Sequence, residues 1–220
     1  MKRSSTWIKI CGTTNLRDAQ LSVEAGANAL GFIFAPSPRQ IEVSAAAEII
    51  SALSGEAEAI GVFVNEGPAR VAEVAEQAGL SGVQLHGDER PEAMDEFRRL
   101  LGQRKIIKSL QASALNSETL ADYLQRKDSF DAILLDSGSA QQRGGTGIPF
   151  DWEISASTAA AIRESVPLII AGGLNAENVA RAIELFQPWG VDVVSGVESA
   201  PGIKDENKLR AFVSAVRQHS

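Results

Sequence analysis

Cys11 is the only cysteine of the chain, and it closes the run Trp7-Ile8-Lys9-Ile10-Cys11 just before a glycine. A lone thiol forms no internal disulfide and is most often a small buried hydrophobe. Where a strand gives way to a loop, it can instead serve as a base once it ionises. Strand alternation puts Lys9 on the same side as Cys11, one layer deeper. Positive charge there favours thiolate over thiol. A buried Lys9 needs a carboxylate in turn, and Asp192 is the candidate. Asp136 ends the run Ile133-Leu134-Leu135. A carboxyl partly desolvated by such neighbours favours its protonated form, which suits a general acid. The plainer reading is an Asp that caps the next turn.

Glycines mark the other candidate site. Gly172-Gly173 follows the run PLIIA, and Ser195-Gly196 follows GVDVV. Glycine lets a backbone approach a phosphate closely, and a Ser hydroxyl adds a donor. Otherwise these residues only make tight turns. A third cluster, Arg143 to Gly147 with Gly145 at its centre, lies in a polar segment from Gly138. That segment reads either as a closing lid with a phosphate contact or as a surface loop. Arg39 sits in APSPRQ, where two prolines stiffen the loop. It is either a fork for a ligand carboxylate or a solvated surface residue. His86 ends GVQLH and shares a strand face with Gln84, as pocket lining or as a structural histidine.

These positions only matter if one architecture gathers them. Eight short apolar runs start at Trp7, Ala29, Ala59, Gly82, Lys105, Ala132, Pro167 and Gly190. Most are apolar on both faces, as strands covered on both sides must be. Amphipathic stretches separate them. NLRDAQLSVEAG places Leu16, Ala19 and Val23 at helical spacing before Gly26. Pro68 opens and Gly79 closes another helix, while Asn175 and Asp205 can cap two more. Pro91, Ser117 and Asp151 stand near the remaining starts. Eight strand–helix units of roughly 27 residues each predict a single (β/α)8 barrel over residues 1–220, with residues 1–6 a flexible extension. A doubly wound open sheet would carry a GxGxxG turn after its first strand, and the turn here is CGTTN. In the barrel, Cys11, the loop to Arg39, His86, Asp136, Gly172-Gly173 and Ser195-Gly196 fall at the C-terminal ends of the strands, where active sites form. Cys11 and Asp136 then flank a ligand whose phosphate lies over strands 7 and 8. That pairs a base with an acid across one small sugar phosphate.

Composition narrows the class. The chain has 220 residues, 44% of them hydrophobic, and a net charge of −7. It can build a sizeable core, and its charge disfavours nucleic-acid or anionic-membrane partners. No run approaches the roughly 18 apolar residues of a membrane span, and the N-terminus lacks a signal-peptide core. The expected location is cytoplasmic and the expected partner a small phosphorylated molecule. Monomer and homodimer are equally open.

The motifs in order are KICG, GFIF…SPR, GVFVN, QLHGDE, LLDS…GGTG…FDW, AGGLN and GVDVVSGVES-PGIKD. The set closely resembles the phosphoribosylanthranilate isomerases of tryptophan biosynthesis, from about residue 7 to 217. The resemblance implies an Amadori rearrangement of N-(5-phosphoribosyl)anthranilate that requires no metal or redox cofactor. It implies Asp136 as general acid, Cys11 as general base, and Arg39 on the anthranilate carboxylate. His86 would line that end of the pocket. Asp192 would hydrogen-bond a sugar hydroxyl, in competition with its pairing to Lys9. Two rivals remain: another phosphosugar isomerase or synthase on the same barrel, and a silent barrel that only binds a phosphorylated ligand.

Overall fold

The computed structural model describes residues 5–136 and 152–220. Eight parallel strands close into a barrel in chain order: β1 (Trp7–Cys11), β2 (Ala29–Ile33), β3 (Glu58–Phe63), β4 (Gly82–Leu85), β5 (Lys105–Gln111), β6 (Ala132–Asp136), β7 (Leu168–Ala171) and β8 (Gly190–Val193). Closure comes from β8 pairing with β1, which sets Lys9 opposite Asp192. The helices that return each strand are α1 (Leu16–Ala25), α2 (Val43–Ala52), α3 (Pro68–Ala78), α4 (Met94–Leu101), α5 (Ser117–Leu124), α6 (Trp152–Ser165), α7 (Val179–Phe186) and α8 (Glu206–Gln218). The strand–helix alternation expected from the apolar runs is therefore the observed (β/α)8 fold.

Local chemistry sets the helix ends. The Asn15 side chain accepts the Asp18 N–H at 2.9 Å, and Asp205 does the same for Lys208 at 3.0 Å. Gly26 ends α1 in the left-handed region at φ 105°. Asn175 acts one turn earlier than its spacing suggested: it accepts the N–H groups of Glu177 and Asn178, and α7 begins only at Val179.

Strand alternation divides the core in two. Outward residues such as Ile8, Ile10, Leu30 and Phe32 pack under the helices. Leu209, Phe212, Val213 and Val216 form the stripe that seats α8, at i, i+3, i+4 and i+7. Each such side chain contributes about 1.5–3 kcal/mol of burial before entropy is counted. Inward residues Trp7, Ala29, Ile60, Ile107, Leu134 and Ile169 fill the barrel. Trp7 stacks on Trp189 at 4.9 Å between centroids, and Lys105 Nζ sits 5.1 Å from the Trp7 ring. That aromatic floor seals the N-terminal end.

Thr6 is buried, and its carbonyl accepts Arg217 Nη1 at 2.6 Å. Beyond β8, residues 195–197 form a 3-10 turn. A short antiparallel ribbon follows, β9 (Glu198–Ala200) with β10 (Ile203–Lys204). The apolar runs gave no sign of it.

Candidate active site

The inner face of β1 carries Trp7, Lys9 and Cys11 in ascending order, from the sealed floor towards the open end. Gly31 is the register partner of Cys11, and a Cβ there would lie 2.4 Å from Sγ. The thiol thus occupies space that only a glycine leaves. Below it, Lys9 is fully buried, with Nζ 2.8 Å from Asp192 Oδ1. The pairing expected from alternation is present. Burial works against the Lys9 charge, but Asp192 and then Cys11 outweigh it and raise its pKa. For Cys11 the balance runs the other way. Burial pushes the thiol up, and the pull of Lys9, and less strongly of Lys204, does not offset it. The thiolate expected from a nearby ammonium is thus favoured by Lys9 but opposed more strongly by desolvation.

Across the barrel, Asp136 ends β6 and His86 directly follows β4. Their side chains come to 3.5 Å, Nε2 to Oδ2, and both are partly exposed at the rim. Gln84 Nε2 faces His86 Nδ1 at 2.9 Å. An amide nitrogen donates, so Nδ1 accepts and the neutral ring keeps its proton on Nε2, towards Asp136. Burial lowers the His86 pKa, while the nearby Asp136 raises it less. The imidazole is therefore a neutral neighbour of Asp136 near pH 7. Lys9 and Asp192 also act on His86. The buried ion pair under Cys11 and the acid at β6 consequently share one barrel interior.

Above β7 and β8 the glycines behave as a pair of touching loops. Gly172 and Gly173 hold φ 95° and 64°. A Cβ on Gly196 would lie 2.0 Å from the Leu174 carbonyl oxygen. The turn that carries Ser195 and Gly196 thus lies directly against the loop after β7, as a two-loop phosphate cradle needs. Gly145 and the 138–147 segment lie outside the described residues.

Arg39 is only partly exposed, and one edge of its guanidinium is already paired. It forms a bidentate pair with Glu198, whose side chain is buried. Glu198 also accepts from Lys204 Nζ at 3.1 Å, and Lys204 donates to the Cys11 carbonyl at 2.5 Å. The sequence reading gave Glu198 and Lys204 no role, although both lie in the final motif VES-PGIKD. Charge is their only signal in the sequence, since both lie in a ribbon outside the eight apolar runs.

The family model described as N-(5'phosphoribosyl)anthranilate (PRA) isomerase matches residues 8–215. The chain belongs to the PRA isomerase family. A relative of that name from Pelobacter propionicus is 44% identical over 213 residues, covering 96% of this chain and 95% of its own. The crystal structure of phosphoribosyl anthranilate isomerase from Thermotoga maritima superposes with a TM-score of 0.84 at 38% identity, over 97% of this chain and 99% of the other. A further PRA isomerase crystal structure, in complex with reduced 1-(o-carboxyphenylamino)-1-deoxyribulose 5-phosphate, gives 0.79 at 37% identity, over 97% and 99%. Membership in the PRA isomerase family accounts for the whole barrel, with the end of β1, the end of β6 and the loops after β7 and β8 assembled in one chain.

Proposed function

We infer that the chain catalyses the Amadori rearrangement of N-(5-phosphoribosyl)anthranilate to 1-(2-carboxyphenylamino)-1-deoxyribulose 5-phosphate, with Asp136 as acid and Cys11 as base. Asp136 protonates the furanose ring oxygen, and the nitrogen lone pair opens the ring to an iminium. The cation acidifies the neighbouring C2–H. Cys11 removes that proton, the electrons move into the C1–C2 bond, and the resulting enolamine tautomerises to the ketone. Atoms balance within the substrate, because one proton is delivered and one is taken.

The observation that carries this reading is the partition of the inner barrel face. A thiol sits over a buried ion pair at β1, and a carboxyl beside a neutral imidazole sits at β6. The two loops that suit a phosphate lie on the short arc between those strands. The base step needs Cys11 as thiolate, which burial opposes and the Lys9 ammonium below it favours; an iminium cation formed beside the sulfur adds to the pull of Lys9. Gly172, Gly173, Ser195 and Gly196 hold the phosphate through backbone N–H groups and the Ser hydroxyl, with Gly145 as a further contact. Arg39 takes the anthranilate carboxylate, and His86 lines the space between Asp136 and the ring. Asp192 offers one oxygen to Lys9 and the other to a sugar hydroxyl. The reaction uses water-soluble substrates and suits a cytoplasmic enzyme.

Following the fluorescence of the anthranilate adduct after adding purified protein tests the reading directly. Loss of the adduct signal with formation of the ketose is expected. An unchanged signal with folded protein rejects the assignment.

A further inference from the structure

Arg39 meets Glu198 through one edge of its guanidinium only. Nε lies 2.9 and 3.0 Å from the two carboxylate oxygens, and Nη2 lies 2.6 Å from Oε2. This side-on pairing uses Nε–H and one Nη2–H. A guanidinium has five N–H groups, and a second bidentate edge is formed by one hydrogen on each of Nη1 and Nη2. Among the described residues nothing occupies Nη1. The aliphatic stem of Arg39 lies across Gly12, where a Cβ would come within 2.7 Å of Cδ. The stem is fixed from below and the head from one side.

Glu198 is itself saturated. Oε1 accepts from Lys204 Nζ at 3.1 Å and from the Gly202 N–H at 3.2 Å, in addition to Arg39. Lys208 Nζ holds the Glu198 carbonyl at 2.7 Å. Burial works against the Glu198 carboxylate, but the hydrogen bonds from Arg39 and Lys204 outweigh it and hold its pKa below the usual range. The group comprises two cations, partly exposed Arg39 and buried Lys204, and one buried anion, Glu198. One more negative charge would balance it.

We propose that Glu198 and Lys204 are positioning residues for substrate recognition: Glu198 clamps Arg39 side-on so that its end-on fork receives the anthranilate carboxylate, and Lys204 neutralises Glu198 so that the guanidinium keeps its charge for the ligand. The inference rests on the reading of Arg39 given above. It explains why a charged ribbon follows β8, and why Lys204 also anchors the carbonyl of Cys11.

The test compares two adducts of ribose 5-phosphate, one with anthranilate and one with aniline, which lacks the carboxylate. The readout is the ratio of their kcat/KM values in wild type, Arg39→Ala, Glu198→Gln and Lys204→Met. Losing one charge-assisted contact should lower the preference for anthranilate roughly tenfold to a hundredfold. The loss should appear mainly in KM of the anthranilate adduct, in all three variants. If Glu198→Gln fails to fold by circular dichroism, Lys204→Met decides alone. A preference lost in Arg39→Ala but kept in the other two overturns the positioning roles and leaves the Arg39 reading standing. An equal fall for both adducts in the Glu198 or Lys204 variants also overturns them, as a general structural effect. A preference that survives Arg39→Ala overturns the Arg39 reading and this inference together.

Discussion

Replacing Lys9 by Met removes the cation from the buried pair beneath Cys11 and leaves the Asp192 carboxylate enclosed. The lysine side chain is fully buried, and its partner is only 6% exposed, so water cannot take its place. Breaking such a pair from one side costs about 3–5 kcal/mol. For a chain of this size each kcal/mol lowers Tm by about 2–4 °C, so a fall on the order of 10 °C is expected. Asp192→Asn should cost a similar amount, since it strands the ammonium. The double variant Lys9→Met/Asp192→Asn removes both charges and should recover most of the loss. Urea or thermal denaturation of the four proteins gives the coupling energy, expected near 3 kcal/mol. A coupling below about 1 kcal/mol, the range of exposed pairs, would refute the argument. The pH dependence gives a second check. The folded pKa of Lys9 is raised above its ordinary 10.5. Its stabilisation is therefore complete below that value and disappears as pH rises through the folded one. Wild type should lose stability above about pH 10.5 more steeply than the double variant.

Cys11→Ser and Asp136→Asn should each cut kcat by at least about 10²-fold while the fold persists, read in the fluorescence assay; near-normal turnover would remove that residue's role. Because burial raises the Cys11 pKa, its alkylation by iodoacetamide should be slow at neutral pH and accelerate only above the ordinary thiol pKa of 9.0. A rate that saturates near pH 8 contradicts the buried thiol. Gly31→Ala drives a methyl to 2.4 Å from Sγ, so the thiol must shift. That should cost roughly 10²-fold in kcat through misplacement alone, and an unchanged kcat would show that the sulfur has room to move. Gly196→Ala would press a methyl into the Leu174 carbonyl and part the two loops, raising KM with less effect on kcat. A lowered kcat at constant KM counts against a phosphate role for that turn.

The barrel could be read because burial on both faces of each strand leaves near-continuous apolar runs, and β1 kept the bounds of its run, Trp7–Cys11. The Lys9–Asp192 pair followed from period-two alternation plus the need to neutralise a buried charge. The run GVDVV overreached by one residue, since a tight turn takes over after Val193 and uses Gly196 for contact with the neighbouring loop. Arg39 was placed at the right rim, but its clamp was not, because 159 residues separate it from Glu198. No periodicity encodes such a contact. The His86–Asp136 approach was hidden for the same reason: alternation gives the face of a strand and not the rotation of one strand end towards another. The direction of the Cys11 pKa required knowing how completely the thiol is enclosed, and a sequence gives only its charged neighbours.

The ribbon after β8 also dictates when the site can exist during synthesis. Lys204 reaches back 193 residues to the Cys11 carbonyl, its own N–H binds Asp18 at 2.8 Å, and Thr14 donates to Gly202 at 2.7 Å. A nascent chain therefore carries this thiol unfastened until the segment from Glu198 to Lys204 has left the ribosome. Translation halted before residue 198 would leave Cys11, Thr14, Asp18 and Arg39 without these partners.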